Sequence, residues 1–242
     1  GVIGRMALEI LFFRSLFRNT RAELREQRLT HGGTQWLWAA GLAFHWSFLV
    51  VVLRHVRPEC RLTLENVGPN GEFIDHPLGR LHSPGHAIET AWFLLHLARR
   101  TDDAPLRQTA LDIVDGVMEK GWDDEFGGLY YFMDCEGRPP LQLEWSMKLW
   151  WPHAEALYAL LLAWHLTGET RYLHWHNKVL DYAFTHFRDA EFGEWFGYLD
   201  RQGRVTHPLK GGEWKGFFHL PRALLYSLQL LESDSAPHTR HH

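Results

Sequence analysis

Cysteine is scarce in this sequence. Only Cys60 and Cys135 occur among the 242 residues, and they lie far apart without the spacing of metal ligands. This scarcity excludes a disulfide-rich domain and a cysteine-based metal centre, and it favours a reduced, cytoplasmic setting. A phosphate-binding glycine loop and the nucleophile elbow of hydrolases are also missing, and no secretory cleavage pattern is evident.

The charge is not one-sided either. The 25 Lys and Arg side chains stand against 29 Asp and Glu, and a formal net charge of −4 gives no reason to expect a nucleic-acid partner. Two residue types are abundant instead: 12 Trp, which can stack on sugar rings, and 17 His, which titrate near neutral pH. Apolar residues make up 45% of the chain, enough for the core of one large domain or two small ones.

Residues 1–60 form an atypical, helical segment at the front of the chain. Residues 1–30 are rich in arginine, and residues 36–53 carry no formal charge. This uncharged stretch just reaches the length of a membrane span, but His45 and Ser47 interrupt it, so we predict a buried helix and no membrane partner. The sequence then predicts one main domain over residues 61–232 and a disordered tail over residues 233–242.

From residue 84 onward the sequence repeats itself. Pro84, Pro152 and Pro221 each precede a strongly apolar stretch, and their spacings are 68 and 69 residues. Proline is well tolerated in the first turn of a helix, where its missing N–H costs nothing, so each proline predicts a helix start; Ser83 is a suitable N-cap. The apolar stretches are typical of buried inner helices, which we place at residues 86–99, 153–165 and 222–231.

Amphipathic stretches alternate with these inner helices. In residues 171–188 the polar side chains recur every three or four positions, which marks one solvent-facing stripe, and residues 108–119 show the same pattern. Each repeat therefore pairs a buried inner helix with a half-exposed outer helix.

Each outer helix is followed by a related segment, residues 124–134 in one repeat and 189–200 in the next. The ends of these segments, Asp134-x-x-Gly137 and Asp200-x-x-Gly203, are turn signals. Both segments therefore predict a short β-hairpin.

Inner and outer helices joined by β-hairpins on one face close most naturally into an all-α toroid of α/α type. An open solenoid is the alternative, but inner helices that are apolar on every side favour closure. The sequence accounts for about seven helices, fewer than the twelve of a six-hairpin ring. The N-terminal part of the ring is therefore expected to be missing or altered.

The starts of the inner helices bring chemically active side chains to one end of the fold. His86, His153 and His219 occupy corresponding places in the three repeats. One histidine at a helix start is often only a cap or a packing residue, but three at equivalent places favour a functional role. Glu89 and Glu155 follow the first two histidines closely, so each of these helix starts also carries a carboxylate.

Two other chemistries fit part of this pattern. His86 and Glu89, supplemented by His153, could hold a metal ion, but no HExxH motif or cysteine cluster supports zinc. Paired glycosidase carboxylates could be drawn from four acidic residues: Asp123, Asp124, Glu125 and Glu144. Turn formation explains the two that lie in the repeated hairpin more simply.

Residues 141–155 (LQLEWSMKLWWPHAE) closely resemble the N-acylglucosamine 2-epimerase (renin-binding protein) family in its animal-type branch. Other segments carry the same resemblance: Pro84-Gly85-His86 with Glu89, Gly121-Trp122-Asp123, Phe187 through Tyr198, and Lys210 through Arg222. The similarity runs from Leu64 to Leu231. Residues 1–50 do not match the helices with which members of the family begin.

The resemblance implies an (α/α)6 barrel that interconverts N-acetylglucosamine and N-acetylmannosamine. The two catalytic histidines of the family match His86 and His219, which would remove the C2 proton of the ring-opened sugar and return a proton to the opposite face. By the same resemblance, Glu89 and Glu155 would orient the histidines and bind sugar hydroxyl groups, and His153 and Trp151 would line the pocket. Lys148 and Arg222 would support the network at the helix starts rather than touch the sugar.

The resemblance also sets expectations for cofactors and partners. No metal or required cofactor is implied, although the animal-type enzymes are stimulated by a nucleotide such as ATP. The expected partner is an amino sugar, and a homodimer is compatible with the family. Because the front helices do not match, a catalytically silent binding or regulatory protein with the same fold is the alternative.

Overall fold

The computed structural model describes residues 20–25, 28–33 and 35–235. The chain divides into two compact units, one up to Arg54 and one from His55 onward.

In the first unit, strands β1 (Thr20–Arg25) and β2 (Arg28–Gly33) pair antiparallel, with Arg25 opposite Arg28. The prediction of a wholly helical front segment is therefore wrong at these residues. Antiparallel pairing of neighbouring segments satisfies main-chain N–H and C=O groups as a helix does. The arginine content of these residues does not distinguish between the two. Residues 1–19 of the arginine-rich stretch lie outside the described residues.

Helix α1 (Gln35–His55) covers the predicted uncharged stretch, so the helix itself is confirmed. Its predicted burial is wrong, because Trp36, Phe44 and Val50 are exposed to solvent. Apolar side chains lie all around this helix, and covering them would need packing partners on every side. Among the described helices, none has the length and hydropathy needed to cross a membrane.

The second unit begins with β3 (Val56–Arg57), β4 (Leu62–Thr63) and β5 (Leu81–His82), followed by α2 (Pro84–Thr101) and α3 (Ala104–Gly121). It continues with β6 (Met133–Asp134), β7 (Lys148–Leu149), α4 (Trp150–Thr167), α5 (Thr170–His186), β8 (Tyr198–Leu199) and α6 (His219–Ser235). This order confirms the predicted alternation, with α2, α4 and α6 as inner helices and α3 and α5 as outer ones. The predicted tail is wrong at residues 233–235, which belong to α6; residues 236–242 lie outside the described residues.

Helix α4 is the centre of this unit. It packs against α2 and α6, the other inner helices, and against the outer helix α5. Every residue from Trp150 to Ala163 is buried, as the all-round apolar sequence predicts. The core of the unit therefore surrounds the middle inner helix.

The inner helices start where the repeat predicts, with small shifts. Ser83 caps α2, since its side chain accepts a hydrogen bond from the His86 N–H, and Pro84 opens that helix. Helices α4 and α6 begin two residues before Pro152 and Pro221. Both prolines still fall in the first turn, where no N–H is needed for the helix ladder.

The predicted turns form, and the second one closes a short hairpin, in which Leu199 forms an antiparallel bridge to Val205. The Gly137 N–H donates to the Asp134 carbonyl and the Gly203 N–H to the Asp200 carbonyl. However, β6 pairs with β5 and β8 with β7. Each of these two sheets thus joins the segment before an inner helix to the loop after the next outer helix. This pairing fixes the start of the inner helix, where the candidate site residues lie.

Candidate active site

A cavity of about 460 Å³ lies at the N-terminal ends of the inner helices. Helix α2 contributes His86, α4 contributes Trp150 and Trp151, and α6 contributes His219. The complete lining is His86, Tyr131, Glu144, Met147, Leu149, Trp150, Trp151, Tyr198, Trp214 and His219. This volume suits a small-molecule ligand, and the lining combines aromatic rings with two histidines and a carboxylate.

Trp151 contacts both histidines. Its ring centroid lies 4.9 Å from that of His86 and 5.4 Å from that of His219. The close approach of α2 to this ring depends on Gly85, where a Cβ atom would lie 2.4 Å from the Trp151 ring. The predicted pocket-lining role of Trp151 agrees with this placement, and Gly85 is what allows it.

We expect Gly85→Ala to destabilise the fold by about 1–3 kcal/mol, because the added methyl group overpacks the contact with Trp151. Urea denaturation followed by tryptophan fluorescence measures this change. Gly212→Ala is the matched control, since a Cβ atom there meets nothing within 4 Å. Equal stability of the two variants would contradict the packing argument.

His86 is held by a carboxylate from the segment after β4. Its Nδ1–H donates to Glu65, with distances of 2.8 Å to Oε1 and 3.0 Å to Oε2. Burial lowers the pKa of His86, but the hydrogen bond and charge of Glu65, together with the charge of Glu89, outweigh burial and raise it. Because Nδ1 is engaged by Glu65, Nε2 is the nitrogen left for chemistry.

His219 is held by a second carboxylate, on helix α4. Its Nδ1–H donates to Glu155 Oε1 over 2.6 Å, and Arg222 Nη2 donates to the same oxygen over 2.6 Å. The other carboxylate oxygen accepts a hydrogen bond from Trp92 Nε1 over 2.7 Å. Glu155 is 1% exposed, so this buried charge is stabilised by three donors from two neighbouring helices.

Arg222 also joins Glu89 to this cluster, donating to its Oε1 over 2.5 Å. Burial, and then the charge of Glu155, raise the pKa of Glu89. Glu89, Glu155 and His219 bring ligand atoms within 4.8 Å of one another, a spacing that a metal ion could use. The guanidinium of Arg222 already bridges the two carboxylates and supplies the positive charge there, so the geometry is that of an arginine–carboxylate–histidine cluster.

His153 does not line the cavity, contrary to the prediction. It is fully buried, with Nδ1–H donating to the Leu149 carbonyl over 2.6 Å and Nε2 accepting from the Leu129 N–H over 2.9 Å. Burial lowers the pKa of His153 to about 3. A neutral ring with both nitrogens bonded to main chain is a packing residue that fixes the loop around Leu129, and it is not available to sugar or metal.

Lys148 also lies outside the cavity, in a buried ion pair. Its Nζ donates to Asp123 Oδ2 over 3.1 Å and lies 3.8 Å from the centre of the Tyr130 ring. Burial lowers the pKa of Lys148 to about 8. Burial would raise the pKa of Asp123, but hydrogen bonds from Arg201 and Lys148 hold it well below its usual range. Asp123 is therefore a structural anion, which leaves Glu144 as the candidate glycosidase carboxylate that reaches the cavity.

A family model gives these residues a context. The model described as N-acylglucosamine 2-epimerase (GlcNAc 2-epimerase) matches residues 54–223. The chain belongs to the N-acylglucosamine 2-epimerase family. The N-acylglucosamine 2-epimerase of Mus musculus is 46% identical over 184 residues, which cover 74% of this chain and 43% of that protein. That of Bos taurus is 46% identical over 183 residues, covering 75% and 43%.

The chain thus spans less than half the length of the curated N-acylglucosamine 2-epimerases that it matches. Among solved structures, the cellobiose 2-epimerase from Spirochaeta thermophila superposes with a TM-score of 0.64 at 22% identity, over 81% of this chain and 48% of that one. A D-mannose isomerase superposes with a TM-score of 0.56 at 26% identity, over 61% and 37%. The cellobiose 2-epimerase likeness confirms the predicted (α/α)6 fold class.

Sequence reasoning misses several residues of the site in this N-acylglucosamine 2-epimerase family member. Glu65 binds His86, and Trp92 binds the carboxylate of Glu155. Tyr131, Tyr198 and Trp214 line the cavity. One signal was present, because Glu65 lies next to Leu64, where the family resemblance begins. Tyr198 and Trp214 carry the same kind of signal, since both lie within segments of the resemblance. Trp92 and Tyr131 lie outside those segments, and most aromatic side chains in any sequence pack in the core.

Proposed function

We propose that this protein is a sugar 2-epimerase that interconverts N-acetylglucosamine and N-acetylmannosamine. The observation that carries the proposal is the pair of carboxylate-bound histidines, His86 and His219, at one cavity in a chain of the N-acylglucosamine 2-epimerase family. In both rings Nδ1 is bound to a carboxylate, so each presents Nε2 as a proton-transfer group.

The reaction needs one base and one acid on opposite faces of C2. In the ring-opened sugar, a neutral histidine takes the C2 proton, the C1–C2 double bond forms, and the carbonyl oxygen becomes an enolate oxygen. The second histidine, which is protonated, then donates its proton to C2 from the opposite face, and the C1 carbonyl forms again. Each histidine contributes about 10²–10⁴-fold to the rate, since its ordinary pKa lies near neutral pH.

The aromatic lining suits the substrate. Trp150, Trp151 and Trp214 offer ring faces to the apolar side of a sugar, and Glu144 offers a carboxylate to its hydroxyl groups. The volume of about 460 Å³ falls in the ordinary range of small-ligand pockets. Arg222 and Glu89 do not line this cavity. They belong to the cluster that holds His219 through Glu155.

We expect the folded chain to place deuterium at C2 of N-acetylglucosamine in D₂O and to form N-acetylmannosamine. Proton NMR of the sugar measures both, through loss of the C2 proton signal and appearance of the second epimer. A protein that melts cooperatively and still exchanges no C2 proton would contradict the epimerase proposal.

A catalytically silent sugar-binding protein is the second candidate. It is favoured by Trp214, a largely exposed aromatic side chain that lines the cavity together with His219 and can hold a ligand without proton transfer. Saturation-transfer NMR that detects N-acetylglucosamine binding, together with no C2 exchange, distinguishes this candidate from the enzyme.

We also propose that no cofactor is required, because two histidines can complete the proton transfer. A response to ATP, a cytoplasmic location and a homodimer remain proposals from the family. Adding ATP during the NMR assay, and measuring mass in solution, test the first and the last of these.

A further inference from the structure

We propose that Glu65 is a positioning residue that keeps His86 protonated in the resting protein, so that for the epimer whose C2–H faces His219 the base is His219 and the proton donor is His86. The assignment rests on the proposed function. It concerns the difference between the two histidine–carboxylate pairs, which look alike in sequence but are built differently.

The carboxylate of Glu65 is committed to His86. Both of its oxygens lie within hydrogen-bond distance of the same ring nitrogen, at 2.8 Å and 3.0 Å. The side chain is also withdrawn from solvent, with 21% of its surface exposed. One ionised carboxylate close to one imidazole favours the charged, doubly protonated ring.

The carboxylate of Glu155 is shared. Oε1 accepts from both His219 and Arg222, and Oε2 accepts from Trp92. Arg222 is permanently charged, so the positive charge that an imidazolium at His219 would place beside Glu155 is already supplied. Glu155 therefore has two further donors, Arg222 and Trp92, besides His219.

The remaining groups around the two rings do not set them apart. Glu89 adds negative charge near both His86 and His219, and its own charge is offset by Arg222. His82, on β5, is fully buried, and burial lowers its pKa to about 4, so it is neutral at physiological pH. Helix α4 faces both rings with the uncharged Trp151. The asymmetry thus comes from Glu65 on one side and Arg222 on the other.

The resting state then defines the proton path. For the epimer whose C2–H faces His219, that ring accepts the C2 proton and becomes charged, while His86 gives up its Nε2 proton to the opposite face of C2 and becomes neutral. The reverse reaction exchanges the two roles. One C–H bond breaks and one forms. After release of the product, His86 regains a proton and His219 loses one to solvent, which restores the resting form.

The test is a titration of the His86 ring by ¹H–¹³C NMR, with its signal assigned from the His86→Asn spectrum. In Glu65→Gln we expect the midpoint to move to lower pH by about one unit, the lower end of the effect of removing an adjacent opposite charge, because the ring is partly exposed. Glu65→Asp restores the charge and should recover most of the midpoint. Glu191→Gln, at an exposed carboxylate on the loop after α5, should leave it unchanged.

An unchanged His86 midpoint in Glu65→Gln overturns the proposal. If the midpoint moves, the high-pH limb of the epimerisation profile should move down by the same amount when the reaction starts from the epimer that His86→Asn still exchanges, since that reaction loses its donor when His86 deprotonates. A moved midpoint with an unmoved limb also overturns the role of His86 as first donor. If the unaltered chain shows no epimerisation, the proposed function fails by itself, and the NMR midpoint still decides whether Glu65 holds the proton on His86.

Discussion

Replacing His219 with asparagine is expected to lower epimerisation by at least about 10²-fold while leaving exchange of the C2 proton in one epimer. Asparagine can keep a hydrogen bond to Glu155, so the cluster with Arg222 stays intact, but it cannot take a proton. His86 remains, and in its neutral form it can still exchange the proton of the epimer whose C2–H faces it. Proton NMR in D₂O, run separately on each epimer, measures the two activities.

The companion variant His86→Asn should lose epimerisation by a similar factor and keep exchange of the other epimer only. His174→Asn is the matched control, because this histidine is exposed on the outer helix α5. Unchanged turnover in either site variant, or exchange of both epimers by one of them, would contradict a mechanism with one base on each face.

The fold should lose stability steeply between pH 6.5 and pH 4.5, by several kcal/mol. His153 and His82 are both fully buried, and burial lowers their pKa values to about 3 and about 4. In the unfolded chain they titrate near 6.5. Below that pH the unfolded state binds more protons than the folded state, so each ring costs about 1.4 kcal/mol of stability per pH unit. Urea denaturation at half-unit steps measures the slope.

His153→Gln isolates the contribution of one ring. The variant is less stable at neutral pH, because the Leu129 N–H loses a well-placed acceptor, but its stability should decline less steeply with acid. His174→Asn again serves as the control, with the unaltered slope. The buried-histidine account is wrong if His153→Gln loses stability with acid as steeply as the unaltered chain.

The helical repeat could be predicted from sequence because its signals are local. Proline in a first helical turn, a serine cap and continuous apolar runs act within a few residues, and they placed α2, α4 and α6 within about three residues of their starts. Outer helices follow from polar periodicity in the same way. The positions of His86 and His219 at the cavity follow from those helix starts.

The partners of these residues could not be predicted, since they come from distant parts of the chain. The pairing of β5 with β6 and of β7 with β8 depends on which segments the packed helices bring together. Glu65 meets His86 across 21 residues, and Trp92 meets Glu155 across 63. His153 illustrates the same limit. The sequence pattern of a histidine at the start of an inner helix is the same whether its ring faces a cavity or a main-chain carbonyl.

Because Glu155 holds α2 through Trp92 and α6 through His219 and Arg222, the site is sensitive to local unfolding. Helix α6 is the last helix of the described chain, and transient detachment of its first turn would remove one histidine and the guanidinium together. Glu89 and Glu155 would then repel each other, which makes the detached state less favourable and speeds its return. Repulsion between the two carboxylates thus opposes fraying of α6. The geometry of the site and the docking of α6 are therefore set by the same equilibrium.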